Sequence, residues 1–271
     1  MLVPGPRWPE ELVSLMLPAA CAGCAGRGAL LCGSCRGLLT REGPHRIRPR
    51  PEPPGLPPVL AAAVYADQTR AVLLAHKERG RLPLAGPLGV ALAGAVSAAV
   101  SAAPDWARPR PGELLWLVPV PSERAAVARR GHDPVLRIAR AAAACLRRSG
   151  RGARVVPCLG RDRAVADQVG LGSAERWENL TGALVAGRPP ASAAAGRGPV
   201  VLVDDLITTG ATLAEAARAL REAGWVPGGR SPGEVGDALV AAVVAGPPSG
   251  GRPGTPVPGR ERPAGEPGMV P

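Results

Sequence analysis

Two hydrophobic periods alternate along residues 59–246. Short apolar runs read as strands over Val59–Tyr65, Leu114–Val118, Val200–Val203 and Ala238–Ala245, with Val155–Val156 and Ala183–Ala186 as shorter ones. Between them, apolar residues recur at helical spacing over Thr69–Arg79, Leu88–Ala102, Pro134–Arg147 and Leu213–Ala223. In the third helix Val135, Ile138, Ala142 and Cys145 share one face, and Gly224 stops the last. Val200–Val203 has no polar interruption, which predicts a strand buried on both faces. Strands alternating with helices predict an α/β domain with a mainly parallel sheet and flanking helices. Ligands of such sheets bind at the carboxyl ends of the strands.

The rest of the chain divides by composition. Residues 1–40 form a small cysteine-bearing head, and 41–58 are rich in Pro and Arg and read as an extended linker. Residues 247–271, rich in Gly and Pro, read as a disordered tail. Leu82–Pro104 carries no charge, but its small residues and Pro83 and Pro87 predict a buried Ala-rich helix, not a membrane span. Leu12–Cys21 faintly resembles a lipoprotein signal. Its apolar run is short, however, and it follows Glu10 and Glu11 without a basic flank. A cytoplasmic location is expected.

Charge narrows the partners. The chain carries 33 Lys plus Arg against 22 Asp plus Glu, a net +11, which favours phosphate-bearing ligands or nucleic acid. Lys77 is the only lysine, so the arginine excess can reflect coding composition, and its count alone carries no function. With five Trp, one Tyr and no Phe, no stacking platform for single strands is visible. The Arg46–Arg50 stretch, with three Arg, is the most accessible contact for single-stranded DNA.

Cys21, Cys24, Cys32 and Cys35 follow the spacing C-x2-C-x7-C-x2-C. Two such knuckles turn four thiolates onto one tetrahedral centre, which predicts a structural zinc site with four cysteine ligands. A redox-active pair or free buried thiols are the alternatives. Cys145 and Cys158 read as core residues.

The densest chemistry lies in PVVLVDDLITTGAT. Asp204 and Asp205 follow the buried strand. The small residues Thr208, Thr209, Gly210, Ala211 and Thr212 then form a turn that opens the next helix. Successive backbone N–H groups at a helix N-terminus favour a phosphate, and the Thr hydroxyls add donors. Two adjacent carboxylates repel a phosphate but suit vicinal ribose hydroxyls, or Mg²⁺ associated with them.

This segment resembles the signature of type I phosphoribosyltransferases. The resemblance implies that Asp204 and Asp205 hold the ribose hydroxyls of phosphoribosyl pyrophosphate and that Thr208–Thr212 hold its 5′-phosphate. Pro121, Ser122 and Arg124, after the Leu114–Val118 strand, resemble the pyrophosphate loop of that superfamily. Lys77 and Arg79 match a K-x-R-G element of ComF-type competence proteins. Gln168, Leu171, Arg176 and Asn179 match that family's Q-x-x-L-x-x-x-x-R-x-x-N block, a mobile loop. Arg129–Asp133 resembles its R-R-G-F-N stretch, with His132 and Asp133 as departures, and the cysteine knuckle precedes the same domain there. Two functions follow. One is transfer of a phosphoribosyl group, with Mg²⁺, to an unidentified acceptor. The other is a non-catalytic ligand-sensing or DNA-handling role in competence.

Overall fold

The computed structural model describes residues 20–104, 108–161, 182–191, 198–226 and 239–248. Within them the chain runs α1 (Gly33–Leu38), β1 (His45–Ile47), β2 (Val59–Val64), α2 (Asp67–Lys77), a 3-10 turn (Leu82–Leu84), α3 (Ala85–Ser101) and β3 (Leu115–Pro119). It continues through α4 (Arg124–Arg130), α5 (Pro134–Arg148), β4 (Ala153–Val155), β5 (Leu159–Arg161), β6 (Leu184–Ala186), β7 (Val200–Leu206), α6 (Ala211–Glu222) and β8 (Val240–Gly246).

Six strands form one mixed sheet in the order β1-β2-β8-β7-β3-β4. All neighbours are parallel except β1, which lies antiparallel to β2. The period of two divides the strand residues between two apolar layers. Leu115, Leu117, Val201, Val203, Ala242 and Val244 face one side, with α2, α3 and α5 packed over them. Trp116, Val118, Val200, Leu202, Ala241 and Val243 face the other, under α6 and the antiparallel pair β5–β6. Burial on both faces explains why β7 and β8 read as continuous apolar runs.

Local chemistry sets the helix starts. Pro134 opens α5, and the Asp133 side chain accepts the Leu136 N–H to cap it. Gly210, in the left-handed region at φ 80°, turns the chain into α6, and Gly224 at φ 77° follows its end. The uncharged helix α3 lies in the core. The stretch Leu82–Ser101 is long and apolar enough to cross a bilayer by length and composition alone, but it is the helix that covers this sheet.

The structure differs from the sequence reading in several places. Residues 45–56 are no free linker. Ile47 and Pro49 are buried and Arg46, Arg48 and Arg50 exposed, an alternation that runs from edge strand β1 past its end at Ile47. A Cβ on Gly210 would stand 3.1 Å from Leu56 and 3.2 Å from Pro49, so the segment lies against the start of α6. Composition concealed this alternation. Nor is the head separate: Cys21, Ala22, Leu31, Cys35 and Leu39 belong to the same apolar core as Val72, Leu73 and Leu88. Strand β7 runs on to Leu206, so the two acids lie within it, and α6 begins at Ala211, so Ala211 and Thr212 belong to its first turn. Strand β3 starts one residue later than expected and β4 two earlier. Of the tail, only residues 247 and 248 are described.

Candidate functional site

The sheet order creates a crevice. From β3 the chain proceeds outward to β4; from β7 it proceeds the opposite way to β8. Strands β3 and β7 are hydrogen-bonded neighbours, so the loops that leave their carboxyl ends diverge. That switch of direction is where open α/β sheets receive ligands. The two loops are the Val120–Glu123 segment and the turn from Ile207 to Gly210. Pro119 pairs with Val203 and the Val120 N–H donates to the Val203 carbonyl at 2.9 Å, so the chain continues to Pro121 and Ser122 from the same end of the sheet at which Asp204 and Asp205 follow Val203.

Asp205 is buried, and Lys77, the last residue of α2, meets its Oδ2 through Nζ at 2.9 Å. Lys77 keeps about a third of its side chain exposed, at 36%. Burial opposes the Lys77 ammonium, but the Asp205 carboxylate outweighs it and holds the lysine above its usual range. Asp204 Oδ1 accepts the backbone N–H of Asp205 at 2.8 Å. Burial first, and then the charge of Asp205, push the Asp204 carboxyl well above the ordinary carboxylate range. Two acids thus share a place with one cation.

The turn that opens α6 is built of small residues. Thr208 is exposed, Thr209 is half-buried with its Oγ1 accepting the Ala211 N–H at 3.4 Å, and Gly210 is buried. The first N–H groups of α6 have no partner within the helix and point out of its N-terminus. Thr212 sits half-buried in the first turn.

The structure therefore brings together Asp204, Asp205, Lys77 and Thr208–Thr212, with Pro121 and Ser122 at the same end of the sheet. Arg79 lies exposed two residues beyond Lys77, and Arg124 is exposed at the first position of α4. Gln168, Arg176 and Asn179 lie outside the described residues.

The sequence reading missed the couplings around the crevice. Ser122 Oγ donates to Asp133 Oδ1 at 3.2 Å, so the departure at Asp133 both caps α5 and holds the β3 loop. Arg130, almost fully buried, pairs with Glu78 at 2.7 Å and so joins α4 to the residue after Lys77. The ring of His132 stands 6.0 Å from the ring of buried His76, whose Nε2 meets the Pro134 carbonyl at 3.3 Å. Burial lowers His76 below its usual value.

The four cysteines form a second site. Their Sγ atoms all lie within 4.8 Å of one another, and Cys24 and Cys32 are 3.8 Å apart. Sulfurs on a tetrahedral zinc, at bonds of about 2.3 Å, stand about 3.8 Å apart. The Cys32 N–H donates to Cys21 Sγ at 3.4 Å and the Cys35 N–H to Cys32 Sγ at 3.5 Å. Burial raises Cys21, yet backbone N–H groups outweigh it and bring the thiol down to about 6, while burial and the neighbouring cysteines push Cys35 up. Four sulfurs this close cannot all ionise without a cation between them. The set can hold a metal ion such as zinc.

No protein-family model matches the chain, and no curated protein matches it.

Proposed function

We propose that the chain binds phosphoribosyl pyrophosphate at the β3–β7 crevice and transfers its phosphoribosyl group. The observation that carries the reading is one arrangement: an acid pair, a phosphate-type turn and a helix N-terminus at the point where the strand order reverses. A mainly parallel sheet with this order is compatible with the type I phosphoribosyltransferase fold. On this reading Thr208–Thr212 receive the 5′-phosphate, and Asp204 and Asp205 accept hydrogen bonds from the ribose hydroxyls. Pro121 and Ser122 face the pyrophosphate. Mg²⁺ accompanying the ligand neutralises the leaving pyrophosphate. The protein's share is positioning and fixed donors, since transfer at C1′ passes through an oxocarbenium-like state. The four-cysteine set is read as a structural zinc site, and reduced thiols fit a cytoplasmic setting.

The test is a titration of phosphoribosyl pyrophosphate with Mg²⁺ by calorimetry, followed by a screen of nucleobases for pyrophosphate release. Saturable heat that disappears in the Asp204→Asn, Asp205→Asn double variant supports the site; no heat in the wild type overturns it. A second reading, ligand sensing coupled to DNA handling in competence, draws on one feature: Arg46, Arg48 and Arg50 are all exposed on a segment packed against Gly210. Ligand binding without pyrophosphate release for any base favours that reading.

A further inference from the structure

Helix α2 is held at both ends by the cysteine head. Near its start, Gly23 lies so close that a Cβ there would stand 3.3 Å from Gln68 Cβ and 2.7 Å from Cys35 Sγ. Just beyond its end, Arg81 does two things. Its backbone N–H donates to the Ala75 carbonyl at 3.1 Å, and its Nη1 donates to the carbonyl of Ala20, next to Cys21, at 2.6 Å. Between these grips, Val72, Leu73 and Ala75 of α2 share one apolar core with Cys21, Ala22, Leu31, Cys35 and Leu39. The residue this helix delivers is Lys77, whose ammonium reaches Asp205 across 128 positions of sequence.

We infer that the metal-loaded head is a positioning element for the crevice: it fixes α2 in the place that sets Lys77 against Asp205, and loss of the metal releases Lys77. Among the described residues, the head is held by few backbone hydrogen bonds and a few apolar side chains, so the four-sulfur centre is its main internal tie. Helix α1 has only six residues, far too few to persist alone. Without a cation the four sulfurs take up protons, and the bonds that tied them to one centre are lost. Opening the head removes the Gly23 contact on Gln68 and the Ala20 acceptor of Arg81 together, so both ends of α2 loosen at once. The inference rests on the reading of the crevice as the ligand site and adds a dependence of that site on the distant cysteines.

Lys77 is the chain's only lysine, which makes it a reporter. The full-length protein is acetylated at neutral pH with a water-soluble succinimidyl ester, and the Lys77 peptide is followed by mass spectrometry. The N-terminal amine serves as the internal reference. Asp205→Asn with metal bound gives the rate of the unpaired lysine. Removing the metal with a chelator should accelerate Lys77 labelling toward that rate, by about tenfold for each unit by which its proton affinity falls. Adding zinc back should restore the slow rate. An unchanged Lys77 rate after verified metal loss overturns the inference. If metal removal melts the sheet by circular dichroism, Arg81→Ala with its metal retained decides instead: faster labelling supports the coupling, and the wild-type rate overturns it. No phosphoribosyl ligand enters this experiment. Failure of that ligand to bind the loaded wild type would therefore strike the ligand reading and leave the labelling result standing.

Discussion

Asp204 and Asp205 are neighbours in sequence, yet their surroundings divide them. Asp205 faces the Lys77 ammonium at 2.9 Å, whereas Asp204 accepts the N–H of Asp205 at 2.8 Å. Burial and the adjacent charge leave the Asp204 carboxyl with a raised folded value. An acid raised in the folded state binds its proton more tightly there than in the unfolded chain. Its contribution to stability therefore falls as pH rises from the unfolded value of about 3.9 through the folded one. Asp204→Asn should raise the melting temperature at neutral pH, with a gain of about 0.5–2 kcal/mol. Below about pH 4 both states are protonated and the gain should vanish. The same variant should weaken ligand binding, which is the trade expected where a functional group is held at a cost to the fold. Thermal melts across pH check the first part, and a neutral-pH loss of stability would show that Asp204 carries no such cost. Asp205→Asn should behave differently. It removes the partner of Lys77, and because that lysine is partly exposed the loss should stay near or below about 1 kcal/mol.

At the scale of elements, α6 carries a fully buried acid, Glu215, that takes the place of a strand edge. Its Oε1 accepts the Leu184 N–H at 2.9 Å, and Arg218 Nη2 donates to the Leu184 carbonyl at 2.9 Å and to Glu215 at 2.8 Å. Two side chains thus tie β6 to the helix that opens at the phosphate-type turn. Burial opposes the Glu215 charge, but the Arg218 hydrogen bonds and the Leu184 N–H outweigh it and lower its folded value. The stability it supplies is present above the unfolded value of about 4.3 and is lost as pH falls through the lowered folded value. Glu215→Ala should cost about 1–3 kcal/mol in urea unfolding, since it strands the Leu184 N–H, while Arg218 keeps its pair with Glu222. Glu215→Gln should lose less and should flatten the acid limb of the stability curve. An Ala variant as stable as the wild type would remove the tie. Glu215 is buried on the side of α6 away from the Leu213, Ala216 and Leu220 stripe, where the sequence pattern predicts an exposed acid. The acid pair and its turn were legible because they are contiguous and follow an unbroken apolar strand. The contacts Lys77–Asp205, Ser122–Asp133 and His76–His132 join distant segments that only the sheet order brings together. Helix α4 was missed because it has seven residues before Gly131 ends it at φ 71°, and β1 because Pro and Arg obscured its alternation.

At the scale of the whole molecule, the head, the edge segment and the sheet form one connected body, and this changes what the net charge of +11 implies. Charge on a free linker is usually only solvation. Here Arg46, Arg48 and Arg50 project from one side of a segment whose other side, through Pro49 and Leu56, lies against Gly210 at the opening of α6. All three are exposed, Arg46 in β1 and Arg48 and Arg50 just beyond it, so they present cations next to the turn that opens α6. Binding of a single strand to these cations should depend on phosphate contacts, fall steeply with salt and show little base preference. Changing all three to Ala should make the log–log salt slope shallower by roughly two to three units, about 0.7–0.9 for each contact removed. Fluorescence anisotropy with a short labelled single strand at several salt concentrations measures the slope. If these arginines only reflect coding composition, the slope of the triple variant will match the wild type. If the strand instead places a terminal phosphate in the turn itself, phosphoribosyl pyrophosphate will compete with it, and the acid-pair variants will alter both affinities. A shallower slope with no competition assigns the contact to the arginines alone.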